Sequence, residues 1–211
     1  MGVRRLIWED AREWKRLGYL GFDKAEKPVK LRDVLRLQWR YVGLRATIWY
    51  RLSYAAHRRH LPLLPGMIAR MNLRRYGLDI VSSVPIGPGL YIPHPVGTVV
   101  MAVSLGSHCH LIHSVTIGMR TVQAFPRIGD NVTISAGARV LGDIYVGDGA
   151  TIGANAVVIT DVPDGATMVG APARPTRPKA SPEIPPEISP GPFPDHIYTW
   201  EPSTGTSGMR E

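Results

Sequence analysis

Asp79 and His94 are the side chains of this 211-residue chain that best fit the activation of a hydroxyl group. An imidazole can take the proton of an attacking alcohol, and a carboxylate bonded to the ring fixes its tautomer and stabilises the imidazolium that forms. Pro93 and Pro95 restrict the backbone on both sides of His94. The sequence therefore predicts a dyad of His94 as general base and Asp79 as its partner. The plainer alternative is that His94 fills a turn and Asp79 bonds a helix end or a turn amide.

A repeat of six residues would position this pair. Branched apolar residues recur at this spacing at Ile128, Ile134, Val140, Val146, Ile152 and Val158. Four positions after the first five of these residues stand Val132, Ala138, Ile144, Ala150 and Ala156. A period of six fits neither a helix nor simple strand alternation, and it is typical of short strand-and-turn units with the branched residue inward. We expect a mainly β fold, a parallel β-helix whose three-unit coils stack about 4.8 Å apart.

The period slips at residues 93–97, the turn that carries His94. Upstream, the same spacing runs through Ile80, Ile86 and Ile92. A slip of one residue predicts Val99 as the next inward residue and brings the His94 turn one coil along from Asp79. The carboxylate and the imidazole are therefore expected at one corner of the coil.

Three segments of the chain differ in pattern. Residues 1–77 are expected to be a helical segment, with one amphipathic helix from Leu31 to about His57 and a second from about Met67 to Tyr76. Residues 78–175 hold the predicted β-helix. Residues 176–211 contain 8 of the 19 prolines and are expected to be extended or disordered.

The net charge of +8 originates in the first segment. Residues 1–77 carry 18 Lys and Arg against 6 Asp and Glu, whereas residues 78–175 carry 4 against 6. No zinc spacing, RNP string or basic heptad accompanies this charge, so we expect no nucleic-acid partner. A solvated helical face is the simpler interpretation. The alternative is a surface for an anionic partner, such as peripheral contact with a membrane leaflet or an acidic glycan.

The remaining composition favours a cytoplasmic protein. The single cysteine, Cys109, excludes an internal disulfide and a multi-cysteine metal site. The sequence has no apolar run of transmembrane length, and charged residues interrupt the first 16 positions where a signal peptide needs an apolar core.

The repeats resemble those of the left-handed β-helix acyltransferases, and within them the serine acetyltransferases and their polysaccharide-associated relatives. The resemblance covers roughly residues 31–175 and rests on strings such as LDIVSSVPIGPGLYIPHPVGTVV, LIHSVTIGM and GAPARP. It implies a left-handed β-helix, acetyl-CoA as acyl donor, no metal, and a homotrimer or a multiple of three. In this family the residues that match Asp79 and His94 form the catalytic dyad.

The resemblance also implies a donor site in the groove between neighbouring subunits. The expected donor-binding residues are Gly118, Ser135, Ala136, Gly137, Gly153, Ala154 and Arg174. Small turn residues let a pantetheine chain approach the backbone, and Arg174 is expected close to the phosphates. Five extra residues between Ile117 and Ile128 predict a loop over the groove. His113 and Phe125 are expected to contact the acceptor.

The chain departs from the serine enzymes at both charged ends of their acceptor. Pro93 stands where the family has an Asp, and Ala124 and Phe125 stand where it has Arg and His. A charge left unpaired in a site costs several kcal/mol, so these departures favour a sugar or glycan hydroxyl as acceptor. Serine O-acetyltransferase of cysteine biosynthesis is the alternative.

Two remote alternatives belong to other classes of protein. One is a non-catalytic trimeric scaffold that docks through its basic helices. The other is a zinc carbonic anhydrase that would use His108, His110 or His113, because β-helix anhydrases bind zinc through three histidines.

Overall fold

The computed structural model describes residues 2–17 and 29–176, so the predicted tail lies outside the described residues apart from Thr176. The helices are Val3–Arg16 (α1), Leu31–Arg40 (α2), Val42–Arg58 (α3) and Leu64–Tyr76 (α4). The strands are Leu78–Ile80 (β1), Thr98–Val100 (β2), Ser104–Leu105 (β3), His110–Leu111 (β4), Thr116–Gly118 (β5), Arg127–Ile128 (β6), Thr133–Ile134 (β7), Arg139–Leu141 (β8), Tyr145–Val146 (β9), Thr151–Ile152 (β10), Val157–Val158 (β11), Thr167–Val169 (β12) and Arg174–Pro175 (β13).

The strands stack into the three faces of a parallel β-helix. Face A consists of β1, β2, β5, β8 and β11, face B of β3, β6 and β9, and face C of β4, β7, β10 and β12. Strand β13 runs antiparallel to β12 and closes face C at one end. The mainly β fold with a helical segment before it is therefore confirmed.

The predicted inward residues fill the core. All six of the first series are at most 3% exposed, and the second series is at most 7% exposed. Their register places one inward residue above another, as in the pairs Ile117–Val140 and Val140–Val158. The core is thus a column of stacked Ile and Val side chains inside the coil, and not a layer between two facing sheets. Each coil contacts its neighbours in the stack.

The slip before β2 is larger than the sequence indicates. Val100, and not Val99, pairs with Ile80 and is fully buried, while Val99 lies beside Asp79 on the outward side of face A. The prediction of Val99 as the inward residue is wrong because the turn at 95–98 takes one more residue. In this turn the Thr98 N–H donates to the Pro95 carbonyl at 3.1 Å.

The helical segment has more helices than expected. The single helix predicted from Leu31 to His57 breaks at Tyr41, whose backbone is extended. At the break the Arg45 guanidinium donates to the carbonyls of Gln38 and Trp39, each at 2.9 Å. Helix α4 begins at Leu64 and ends, as expected, at Gly77 in the left-handed conformation. In residues 2–17 and 29–176 no helix has the length and apolarity to span a bilayer.

Helix α1, which lies in the predicted helical segment but was not predicted as a separate helix, is bound to the β-helix through a buried ion pair. Arg51 on α3 donates to both oxygens of Asp10 on α1 at 2.8 and 2.9 Å, and neither side chain is more than 1% exposed. The same guanidinium donates to the carbonyls of Ile86 and Gly87 at 2.6 Å, and Asp10 accepts the Leu90 N–H at 2.9 Å. With its charge shared over these bonds, the pair joins α1, α3 and the first coil.

Glu13 makes a second contact between α1 and the β-helix. Its carboxylate accepts hydrogen bonds from the His108 and His110 rings at 3.1 and 2.9 Å and also pairs with Arg16. Burial acts to raise the pKa of Glu13, but the bonds from His110, Arg16 and His108 outweigh it and lower the pKa from 4.5 to about 2.

We predict that Glu13→Gln removes part of the acid sensitivity of the fold. Since the pKa of Glu13 is about 2 in the folded chain and about 4.5 when unfolded, its charged form stabilises the fold above pH 4.5. That contribution is lost as the pH falls toward 2. Urea unfolding between about pH 2.5 and 6 gives the free energy of unfolding as a function of pH. The slope of this dependence should be shallower in Glu13→Gln than in the wild type.

Glu9→Gln is the matched control, because it removes a carboxylate from the same helix that pairs with Arg12 on that helix. It should keep the wild-type slope. An unchanged slope in Glu13→Gln would contradict the assignment.

Candidate active site

The turns between face C and face A stack into one edge of the β-helix, called here the C–A edge. It is formed by residues 93–97, 112–115, 135–138 and 153–156, and the turn 170–173 between β12 and β13 continues it by bonding to Val157. Successive turns are bonded to each other: Ser114 N–H donates to Val96 O, Gly137 N–H to His113 O and Asn155 N–H to Ala136 O, at 2.9 to 3.0 Å. Successive turns of this edge therefore have little freedom to move separately.

Seven of the predicted site residues lie along this edge. They are His94, His113, Ser135, Ala136, Gly137, Gly153 and Ala154. The rings of His94 and His113 are both exposed, 6.2 Å apart between centroids and inclined at 72°. The winding of the coil thus places two imidazoles on one solvent-facing line with the small residues that were expected to contact a donor.

The His94 turn is fixed by the coil on each side. Gly97 N–H donates to the Gly77 carbonyl at 3.0 Å, and the Val96 carbonyl accepts the Ser114 N–H. Gly77 ends α4 and stands two residues before Asp79. The same hydrogen bond therefore ties the His94 turn to the segment that carries the candidate carboxylate.

Asp79 lies on β1 with its half-buried side chain on the outward side of face A. The register continues this outward column from Asp79 through Val99 and Thr116 to Arg139. Within the described ranges the structure shows no hydrogen bond between the Asp79 carboxylate and the His94 ring. The two residues are one coil apart, and their pairing stays a prediction.

Three predicted site residues lie elsewhere. Gly118 is at the far end of β5, where face A leads into the loop 119–126, and Phe125 is half-buried at the end of that loop. Gly118 is buried, yet a Cβ built on it would meet no atom within 4 Å, so the space beside it is open. Arg174 is exposed on β13, just after the last turn of the C–A edge, and donates to the Ala173 carbonyl.

Arg139 lies at the C–A edge but was not among the predicted residues. Its exposed guanidinium donates to the carbonyls of Ser114 and Gly137 at 2.9 and 3.2 Å, and so bridges two successive turns beside His113. The signal was present in the sequence, because counting outward positions along face A from Asp79 leads to Arg139 by the fourth strand.

The histidines considered as zinc ligands have other surroundings. His108 and His110 contact Glu13, whereas His113 lies beside His94. Among residues 2–17 and 29–176 no group of three or more His, Cys, Asp or Glu side chains could hold a metal ion. Burial raises the pKa of the Cys109 thiol to about 12, so this residue is not a thiolate at neutral pH.

Comparison with known proteins assigns the chain to a family. The family description "Bacterial transferase hexapeptide (six repeats)" matches residues 125–160. A serine acetyltransferase of Synechococcus elongatus is 31% identical over 153 residues, 71% of this chain and 63% of that protein. A serine acetyltransferase of Helicobacter pylori strain J99 is 38% identical over 138 residues, 64% of this chain and 81% of that protein. The chain belongs to the serine acetyltransferase family.

Solved structures of the serine acetyltransferase family show the same architecture. The enzyme of Neisseria gonorrhoeae gives a TM-score of 0.71 at 28% identity, over 83% of this chain and 66% of that one. A serine acetyltransferase in complex with CoA gives 0.70 at 26% identity, over 82% and 69%. This chain thus spans somewhat less than two thirds of the Synechococcus protein and of the Neisseria structure. Its expected place in the polysaccharide-associated branch of the family stays a prediction.

Helix α3 of this serine acetyltransferase family member packs directly on the backbone that carries His94. A Cβ built on Gly43 would overlap the Ile92 carbonyl oxygen and come within 3.0 Å of the Pro93 carbonyl oxygen. We predict that Gly43→Ala lowers the free energy of unfolding by about 1–3 kcal/mol, since the helix or the turn must move. Thermal or urea unfolding measures this change.

Gly66→Ala is the matched control, because Gly66 is also helical and a Cβ on it meets nothing within 4 Å. There the change should be neutral or stabilising by about 0.5–1 kcal/mol, the usual gain of Ala over Gly in a helix. Equal effects at the two positions would show that the close packing of α3 on Ile92 does not matter.

Proposed function

We propose that this protein is an acetyl-CoA-dependent O-acetyltransferase that acts on a hydroxyl group. The observation that carries the proposal is the His94 turn. Its imidazole is exposed, its backbone is held by hydrogen bonds to Gly77 and Ser114, and Asp79 lies one coil away. Membership of the serine acetyltransferase family supports it. The CoA complex of a protein with the same architecture supports CoA as the donor's carrier.

In the proposed reaction His94 removes the proton from the acceptor hydroxyl while the oxygen attacks the thioester carbon. The new C–O bond forms, the C–S bond breaks, and the imidazolium returns its proton to the leaving thiolate, so that an ester and free CoA result. Asp79 accepts a hydrogen bond from the other ring nitrogen and holds the tautomer. Such bonds often form fully only with substrates bound. Backbone N–H groups of the neighbouring turns would stabilise the oxyanion.

The C–A edge fits an extended donor. Ser135, Ala136, Gly137, Gly153 and Ala154 present small side chains at half-buried or exposed turns, one coil after another beyond the histidines. A flexible pantetheine arm could therefore lie against the backbone of these turns with its thioester at His94. Arg174 and Gly118 stay proposed donor contacts. Arg174 would contact the phosphates, and the open space beside Gly118 would leave room for part of the donor.

L-Serine is the first candidate acceptor, because the similar proteins are named serine acetyltransferases. A sugar or glycan hydroxyl is the second. A specific observation favours it: Pro93, Ala124 and Phe125 leave no charged side chain at the positions that were compared with the serine enzymes. In that case the half-buried Phe125 ring and His113 would contact the acceptor.

A paired test separates the two acceptors. Free thiol released from acetyl-CoA is followed in the presence of L-serine and, separately, of a panel of sugars. Release that depends on L-serine supports the first candidate, and release that depends only on a sugar supports the second. No release above hydrolysis with any hydroxyl compound would overturn the acetyltransferase proposal.

We predict that His94→Ala lowers kcat by about 10² to 10⁴, the usual contribution of a positioned base. Binding of acetyl-CoA, followed by calorimetry, should be nearly unchanged because the donor turns are left intact. His57→Ala, an exposed histidine on α3, is the matched control and should keep kcat within about twofold. Wild-type kcat in His94→Ala with the accepted substrate would show that the base lies elsewhere.

A trimer, or a multiple of three, is part of the proposal, since the C–A edge of one subunit is open and supplies only one wall of a groove. We predict a mass of three or six chains of 23.2 kDa in analytical ultracentrifugation. Val122, which is 87% exposed on the loop 119–126, is expected to become covered. A fully active monomer would contradict the prediction.

A further inference from the structure

The helical layer carries a charge distribution that the proposed chemistry does not use. Residues 34–78 contain nine arginines and no lysine, aspartate or glutamate. Arg51 is buried with Asp10, but Arg58, Arg59, Arg70, Arg74 and Arg75 are exposed. A surface with this excess of guanidinium groups attracts anionic partners.

Helix α4 packs through one narrow side. Only Asn72 and Tyr76 of its 13 residues are buried, and Asn72 holds it to α3 by donating to the Ala46 carbonyl at 3.1 Å. On the opposite side lie Met67, Arg70, Met71 and Arg74. Met67 and Met71, and Arg70 and Arg74, are four residues apart, which places the set on one face of the helix.

The turn before α4 and its first residue carry three more exposed leucines. We call the resulting surface the α4 patch; it consists of Leu61, Leu63, Leu64, Met67, Arg70, Met71 and Arg74, with Arg58, Arg59 and Arg75 at its border. Leu63 is 83% exposed and Met67 64% exposed. Apolar side chains of this size in a row, surrounded by guanidinium groups, are typical of a binding surface.

Leu63 also adopts a backbone conformation that its side chain disfavours. Its φ is 63°, in the left-handed region that a bulky residue rarely occupies. The neighbouring prolines, Pro62 and Pro65, and the bond from Ser53 Oγ to the Pro65 carbonyl at 2.9 Å hold the turn in place. The turn thus fixes a leucine in solvent, where it contributes little to the core.

We propose that the α4 patch docks onto the surface of an anionic lipid bilayer. The leucines and methionines would enter the boundary between headgroups and acyl chains, and the arginines would contact lipid phosphates while their methylene stems stay in the apolar layer. A nucleic acid would use the arginines but not the apolar centre. A two-fold contact with a second copy would cover the apolar centre but would oppose arginine to arginine.

The proposal is independent of the acetyl acceptor, because α4 and the C–A edge are different surfaces. The two surfaces meet at Gly77, whose carbonyl accepts the Gly97 N–H. Docking would therefore hold the acetyltransferase at a membrane and leave the His94 turn accessible.

The test is cosedimentation of the full-length oligomer with vesicles. Vesicles of phosphatidylcholine with about 30% phosphatidylglycerol are compared with pure phosphatidylcholine at low and at high salt. The wild type should bind the anionic vesicles at least about tenfold more tightly, and salt should weaken this binding. Arg70→Gln/Arg74→Gln should lose about 25-fold, since each removed charge accounts for about fivefold. Leu63→Ser/Met67→Ser should lose a similar factor through its apolar surface.

Arg12→Gln/Arg32→Gln is the matched control for charge, and Leu31→Ser, at a position 59% exposed on α2, is the control for exposed apolar surface. Both should bind within about twofold of the wild type. All variants must keep the wild-type sedimentation coefficient and thiol release, which separates loss of docking from loss of fold or of the proposed function. Equal binding to both vesicles, or wild-type binding by both patch variants, would overturn the proposal. A patch variant that dissociates the oligomer would assign the patch to a subunit contact instead.

Discussion

The first coil of a β-helix has no coil before it, so the N–H and C=O groups on that side lack the partners that every inner coil has. The helical layer supplies those bonds through side chains. Tyr50 donates from its hydroxyl to the Val84 carbonyl, Arg51 to the carbonyls of Ile86 and Gly87, and Asp10 accepts the Leu90 N–H. Because an unpaired buried carbonyl or amide is unfavourable, the β-helix depends on α1 and α3 at this end. The ion pair of Asp10 and Arg51 therefore stabilises the backbone of the first coil, which also carries Asp79.

The repeating part of this fold could be predicted from the sequence, and the parts that depend on distant contacts could not. Ile128, Val140 and the other inward residues follow from the period alone, since every coil repeats the same environment. Val99 was predicted in place of Val100 because the spacing of the repeat does not show that the turn at 95–98 takes one more residue. The bond of Glu13 to His108 and His110 joins residues 95 and 97 positions apart, and no local pattern connects them.

The candidate site shows the same division. The slip at residues 93–97 indicated the His94 turn, because a repeat that tiles without error has no reason to change its spacing. What the period did not show is that His113 lies 6.2 Å from His94, or that Arg139 bridges the turns of Ser114 and Gly137. Predicting which side chains meet across coils requires the strand register, whereas predicting which residues form the turns requires only the spacing of the repeat. The choice between the two proposed acceptors concerns the side chains at 93, 124 and 125, where the sequence was predicted to differ from the serine pattern.

Within residues 2–17 and 29–176 the two ends of the β-helix are closed very unequally. Helices α1, α3 and α4 contact the first coil, whereas the last coil is covered by β13, two residues paired with β12. In a solenoid whose coils contact only their neighbours, opening begins where the fewest contacts must break and proceeds coil by coil. Amide exchange would therefore form a gradient along the rod, fast at Gly153 and Ala154 and slow at His94. Fraying would expose the backbone of the proposed donor turns well before it disturbs the imidazole, so heat would impair donor binding before it removes the base.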